Sequence, residues 1–143
     1  MLALLKSRLI SLRGNRRGAI AAEFAMVAPL LFVTMFAIIE YGFVFYGYSA
    51  MQFGANAVAR SIAVNKLKTN NAQTSLNSYL PRWMGRATVV VQKSVPTDAS
   101  RSWVQLRVTA PASSTTPIKI FTTAIPWTLS ADVAVKQELP YDN

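Results

Sequence analysis

The chain has neither cysteine nor histidine among its 143 residues. Without thiols there is no disulfide framework, no thiol nucleophile and no Cys-containing zinc site. Without imidazole the commonest general base and metal ligand is missing, which excludes most familiar triads and acid/base pairs. Acids are scarce too, with 6 Asp+Glu against 15 Lys+Arg and a formal charge of +9. Ser/Lys dyads and Asp pairs remain chemically open. However, Asp98, Asp132 and Asp142 do not cluster: Asp132 falls on the polar side of an expected strand, and the other two flank a turn and the tail. The composition therefore reads as a protein that is not an enzyme and holds no cofactor and no metal.

The basicity is local. Lys6, Arg8, Arg13, Arg16 and Arg17 all precede Gly18, in a stretch without a single acid, and the rest of the chain carries ten cations against six acids. This arm places Leu2, Leu5, Leu9 and Leu12 at helical spacing among its cations, a basic amphipathic turn or two that Gly14-Asn15 ends. It has no interleaved aromatics and no nucleic-acid-binding module, and a hydrophobic run stands directly behind it. Its cations read as leader and orientation signals, and no nucleic acid is expected as a partner.

What the chain has in abundance is apolar surface: 52% of its residues are hydrophobic and its mean hydropathy is +0.27. From Ala19 to Tyr48 the only charges are Glu23 and Glu40, with sixteen uncharged residues between them. As a helix those sixteen residues extend about 24 Å, and apolar character resumes beyond Glu40. Nine of them are Leu, Ile, Val or Phe, together worth roughly −3 to −5 kcal/mol on the membrane-insertion scale. A carboxylate at the bilayer centre would cancel that sum, but these two stand at the ends, where the penalty is smaller. Residues 19–48 are therefore expected to form one transmembrane helix, following a basic leader over residues 1–18. Five cations before the span and none after it until Arg60 predict a cytoplasmic N-terminus, with residues 49–143 outside the membrane.

Past the span, Met51, Ala55, Val58 and Ile62 keep a helical stripe with Asn56 and Arg60 off it, so the helix is expected to run to about Leu67. KTNNAQTSLNS reads as a loop or a short second helix. After Pro81 the period changes to two, in TVVVQKSV, in SWVQLRVT with Val104, Leu106 and Val108 on one side, in IKIF, and in TLSADVAV with Leu129, Ala131, Val133 and Val135 on one side. Pro96-Thr97-Asp98, the PASSTTP run and Pro126 separate them. The expected fold is α+β and pilin-like: a long N-terminal transmembrane helix continuing into a small antiparallel sheet of three to four strands.

The string NRRGAIAAEFAMVAPLL combines cations, a glycine, small residues and then an acid and an aromatic at the head of an apolar helix. Neither a plain anchor nor an ordinary signal peptide requires this combination. It resembles a prepilin peptidase site of the type IV pilin class, with cleavage between Gly18 and Ala19. Glycine at the scissile bond leaves the backbone unobstructed. Cleavage frees an ammonium on Ala19, and Glu23, one helical turn on, is placed to pair with that ammonium in its own chain or a neighbour's. Phe24 follows the acid. Pro29 removes one helical hydrogen bond inside the span. A second string, Ile39-Glu40-Tyr41-Gly42 followed by Phe43, Phe45, Tyr46 and Tyr48, closes the span with aromatics of the kind that favour the outer interface.

Together the two strings resemble the TadE/TadG-like family, the minor pseudopilins of Tad (tight adherence, type IVb) pilus systems, and the chain is of TadE-like or TadF-like size. The resemblance is strong from about Asn15 to Tyr48. It implies an assembly subunit that is processed by prepilin peptidase, resides in the bacterial inner membrane or enters the pilus, and supports adhesion and biofilm formation. The implied partners are the membrane, the peptidase, other Tad pilins and pseudopilins and the inner-membrane assembly platform. The implied assembly residues are Glu23, Phe24, Pro29, Glu40, Tyr41 and Gly42. The alternative is a single-pass, inner-membrane-anchored periplasmic protein of unrelated function.

Overall fold

The computed structural model describes residues 17–94 and 102–137. Residues 1–16 of the basic arm, the segment with Pro96-Thr97-Asp98 and the tail after Gln137 lie outside the described residues. Helix α1 runs Arg17–Ala63 and passes through Pro29. A 3-10 turn, Thr69–Asn71, leads into α2, Ala72–Tyr79. Strands β1 (Thr88–Lys93) and β2 (Trp103–Pro111) follow. A second 3-10 turn, Ala112–Ser114, a four-residue helix α3 (Phe121–Ala124) and strand β3 (Thr128–Lys136) complete the described chain. The strands form one antiparallel sheet in the order β1-β2-β3. The expected α+β architecture is present, with three strands among the described residues.

The chain divides into two compact units, Met1–Phe36 and Ala37–Asn143. In the described part of the first, nearly every side chain of α1 is exposed, including Met26 at 82% and Leu30 at 67%. The helix from Gly18 to Ala63 is long and apolar enough to cross a membrane.

In the second unit the period-two pattern becomes the inner face of the sheet. Val91, Leu106 and Val133 align across the three strands, as do Val89, Val108 and Ala131. They share one core with Met51, Ala55, Val58 and Ile62 of α1 and Leu76 of α2. On the outer face Arg107 stands opposite Asp132 and bonds to it. That guanidinium holds the Asp132 carboxyl below the usual carboxylate range. Both side chains are solvent-exposed, so the pair adds little stability.

Two boundaries differ from expectation. Helix α1 ends at Ala63 rather than near Leu67, because Asn65 adopts a left-handed conformation (φ 56°). With that turn, the Lys66 N–H donates to the Ser61 carbonyl (2.9 Å) and the Asn65 N–H to that of Ile62 (3.0 Å), the Schellman arrangement that terminates helices. IKIF is not a strand. Its last two backbone N–H groups donate to Glu40 instead of a sheet neighbour, and Phe121 opens α3.

The polar stretch forms α2, whose approach to α1 depends on Gly54: a Cβ there would stand 2.8 Å from Leu76 Cδ1 and 3.1 Å from Tyr79 Cβ. Seven residues earlier, a Cβ on Gly47 would meet Thr115 Cβ at 2.9 Å and the Thr115 carbonyl at 3.1 Å. Thr115 is fully buried and its hydroxyl donates to the Ala112 carbonyl (2.7 Å), so it has little room to give. Gly47→Val is therefore expected to destabilise the domain by about 1–3 kcal/mol through overpacking. A lowered thermal midpoint of the solubilised full chain, with Gly42→Val as the open-site comparison, is the check.

Candidate functional site

The buried stripe of α1 begins well before the segment where sequence periodicity located it. Glu40, Val44 and Gly47 precede Met51 on the same helical face, and all are buried. Glu40 is therefore the first inward-facing residue of the second unit rather than only the end of a hydrophobic run.

Its carboxylate is fully buried and fully used. Oε2 accepts from the backbone N–H of Ile120 (3.0 Å) and of Phe121 (2.9 Å). Oε1 accepts from the N–H groups of Phe121 (3.1 Å) and Thr122 (2.7 Å) and from the Thr122 hydroxyl (2.7 Å). The first N–H groups of any helix lack intrahelical partners. Here the cap of α3 comes from a residue 80 positions earlier in the chain, through hydrogen bonds of the stronger, charge-assisted kind. One carboxylate thus ties the loop before β3 to α1.

Glu23 is the opposite case. It is exposed, and among the described residues it makes no hydrogen bond or ion pair. Around it Ile20 is 65% exposed and Phe24 64%. The helix carries two acids in its apolar part, one satisfied by its own fold and one turned outward.

Gly18 and Ala19 lie in the first turn of α1, both exposed. The backbone at the Gly18–Ala19 bond is helical. Glycine weakens a helix by roughly 0.5–1 kcal/mol relative to alanine, and the first turn has few hydrogen bonds to break, so local opening at Gly18 is inexpensive. Pro29 is exposed within the continuous helix. Tyr41 and Gly42 point outward beside Glu40, and a Cβ on Gly42 would have nothing within 4 Å. Gly42 borders a shallow groove of about 470 Å³ with Ile39, Phe43, Tyr46 and Trp83. The Trp83 ring stands edge-on to Phe43 at 5.5 Å. Of the eight residues singled out from the sequence, only Glu40 is buried. The other seven remain on the surface of α1.

Residues 18–60 match the family model described as TadE-like protein. This segment is similar to that family. The match covers 43 of the 143 residues, among them Gly18, Glu23, Glu40 and the glycines at 42, 47 and 54. It associates the chain with Tad pili, and it ends before α2 and the sheet. No curated protein and no solved structure matches the chain.

Sequence reasoning missed the partners of Glu40 and the role of Gly47. One available signal was Glu40 itself, since an acid directly after sixteen uncharged residues requires compensation. Gly47 gave none, because lone glycines are common in membrane helices.

Proposed function

We propose that this chain is a minor pseudopilin, an assembly subunit of a Tad (type IVb) pilus. It acts without catalysis, through contacts made by α1. In this reading the arm stays in the cytoplasm, prepilin peptidase cuts between Gly18 and Ala19, and residues 19–48 hold the product in the inner membrane with the sheet domain outside. The observation that carries the reading is the contrast between the two acids of the TadE-like segment. Glu40 is used up inside its own fold, whereas Glu23 is exposed on an apolar helix, one turn from the amine that cleavage would create. An ammonium and a carboxylate brought together among apolar helices fix the stagger between neighbours, since parting them strands a charge in a medium of low dielectric. Phe24, Pro29, Tyr41 and Gly42 then belong to the surface offered to other Tad pilins and to the assembly platform, and adhesion and biofilm formation follow from the filament.

The test is intact mass of the full-length protein produced with and without its prepilin peptidase. A product beginning at Ala19, only when the peptidase is present, is expected. Retention of Met1 under both conditions would instead favour a plain membrane-anchored periplasmic protein, and a new terminus after Ala57, where Ala55-Asn56-Ala57 offers the A-x-A pattern of a signal-peptide cleavage site, would favour an ordinary exported one.

A further inference from the structure

The loop from Pro117 to Trp127, PIKIFTTAIPW, contains one charge, Lys119, and no acid. Its apolar side chains are not all spent on the core: Ile120 is 52% exposed, Ile125 66% and Trp127 41%. Isolated exposed apolar residues are ordinary, but these three share one loop whose position is fixed by the Ile120 and Phe121 N–H groups on Glu40. Glu40 directly follows the sixteen-residue uncharged run. If that run occupies the hydrocarbon layer, groups bonded to Glu40 stand where the layer meets the outer headgroups. At the same level of α1, Phe45 is 69% exposed and Tyr46 61%, which suits an interface that favours amphipathic rings. The backbone is prepared for that setting as well. Lipid cannot satisfy an N–H, and those of Ile120, Phe121 and Thr122 already have the Glu40 carboxylate, while that of Ile125 donates to the Phe121 carbonyl (3.2 Å).

We propose that this loop is a second membrane contact, with Ile120, Ile125 and Trp127 inserted at the outer face of the phospholipid bilayer beside residues 40–46 of α1 and Lys119 on lipid phosphate. The contact rests on α1 being a membrane span. It makes the sheet domain lie on the lipid in one rotational setting instead of swinging on a single helix, and so decides which faces remain free for neighbouring subunits.

Because the chain lacks cysteine, one substitution gives one labelling site. Full-length protein carrying a nitroxide at Ile125→Cys, Leu31→Cys or Asn70→Cys is reconstituted at high dilution in phosphatidylethanolamine/phosphatidylglycerol vesicles. Collision with oxygen, which concentrates in lipid, is compared with collision with an aqueous nickel chelate. The labels at Leu31 and Ile125 are expected to favour oxygen, and the label at Asn70, beyond the far end of α1, the nickel chelate. A label at Ile125 that behaves like the one at Asn70, with Leu31 in lipid, overturns the loop contact and leaves the span standing. An Ile125 label immobilised and shielded from both reagents means that protein covers the loop, which also overturns it. A Leu31 label open to nickel shows that the span itself is wrong, and the loop contact falls with it.

Discussion

Replacing Glu40 with alanine is expected to unfold much of the sheet domain while leaving the N-terminal part of α1 intact. The substitution removes the acceptor of three backbone N–H groups and one hydroxyl at once. A buried donor left without a partner costs about 1–3 kcal/mol, and the Thr122 N–H and hydroxyl are buried while the Ile120 and Phe121 N–H groups are part-buried. Even if water or a rearranged loop rescues some of them, the loss exceeds about 3 kcal/mol, a large part of the roughly 5–15 kcal/mol that keeps a typical domain folded. Glu40→Gln is expected to fall between: its carbonyl oxygen can still accept, but its amide turns a donor toward other donors. Glu23→Ala supplies the comparison, because Glu23 has no partner among the described residues and its loss should leave thermal stability unchanged. Limited proteolysis of the three full-length variants in detergent separates the outcomes. Rapid cleavage between residues 64 and 137 in Glu40→Ala alone is the expected pattern, and a Glu40→Ala protein as resistant as wild type would show that the loop is held by something else.

How legible such features are in a sequence depends on how far apart their parts lie. The stripe Met51, Ala55, Val58, Ile62 and the alternation Val104, Leu106, Val108 were both readable, because each is a local consequence of backbone period and all seven residues are fully buried. The stop at Ala63 was missed by a few residues: Asn65 is of a type that tolerates the left-handed turn, but a lone asparagine is a weaker stop signal than a glycine. IKIF misled for a related reason, since four residues of apolar alternation do not reveal whether a neighbouring strand exists, and here Glu40, 80 positions away, claimed the backbone donors first. The candidate site divides along the same line. Gly18, Ala19, Glu23 and Phe24 form a contiguous string that sequence displays in full. The job done by Glu40 depends on a segment at the other end of the chain.

Gly18→Ala is expected to block maturation without disturbing the fold, and this pairing gives the experiment its force. A Cβ at Gly18 meets nothing within 4 Å among the described residues, and neither does one at Gly42. Alanine in place of glycine favours a helix by roughly 0.5–1 kcal/mol in its interior and by less in its first turn, so neither variant is expected to lower thermal stability. At Gly18, however, the same gain works against cleavage, because a protease that needs extended backbone must first open the turn holding the Gly18–Ala19 bond. An added ~0.5 kcal/mol slows a step that passes through the opened form about twofold, and the clash of the new methyl group at the scissile bond adds to that. Co-expression with the peptidase should therefore leave full-mass precursor in Gly18→Ala, and mature protein beginning at Ala19 in Gly42→Ala and wild type. Because neither variant should melt below wild type, the accumulated precursor would report on the bond itself. Cleavage of Gly18→Ala at the wild-type rate would mean that the glycine is not read by the enzyme, and the resemblance to a prepilin peptidase site would lose its chemical basis.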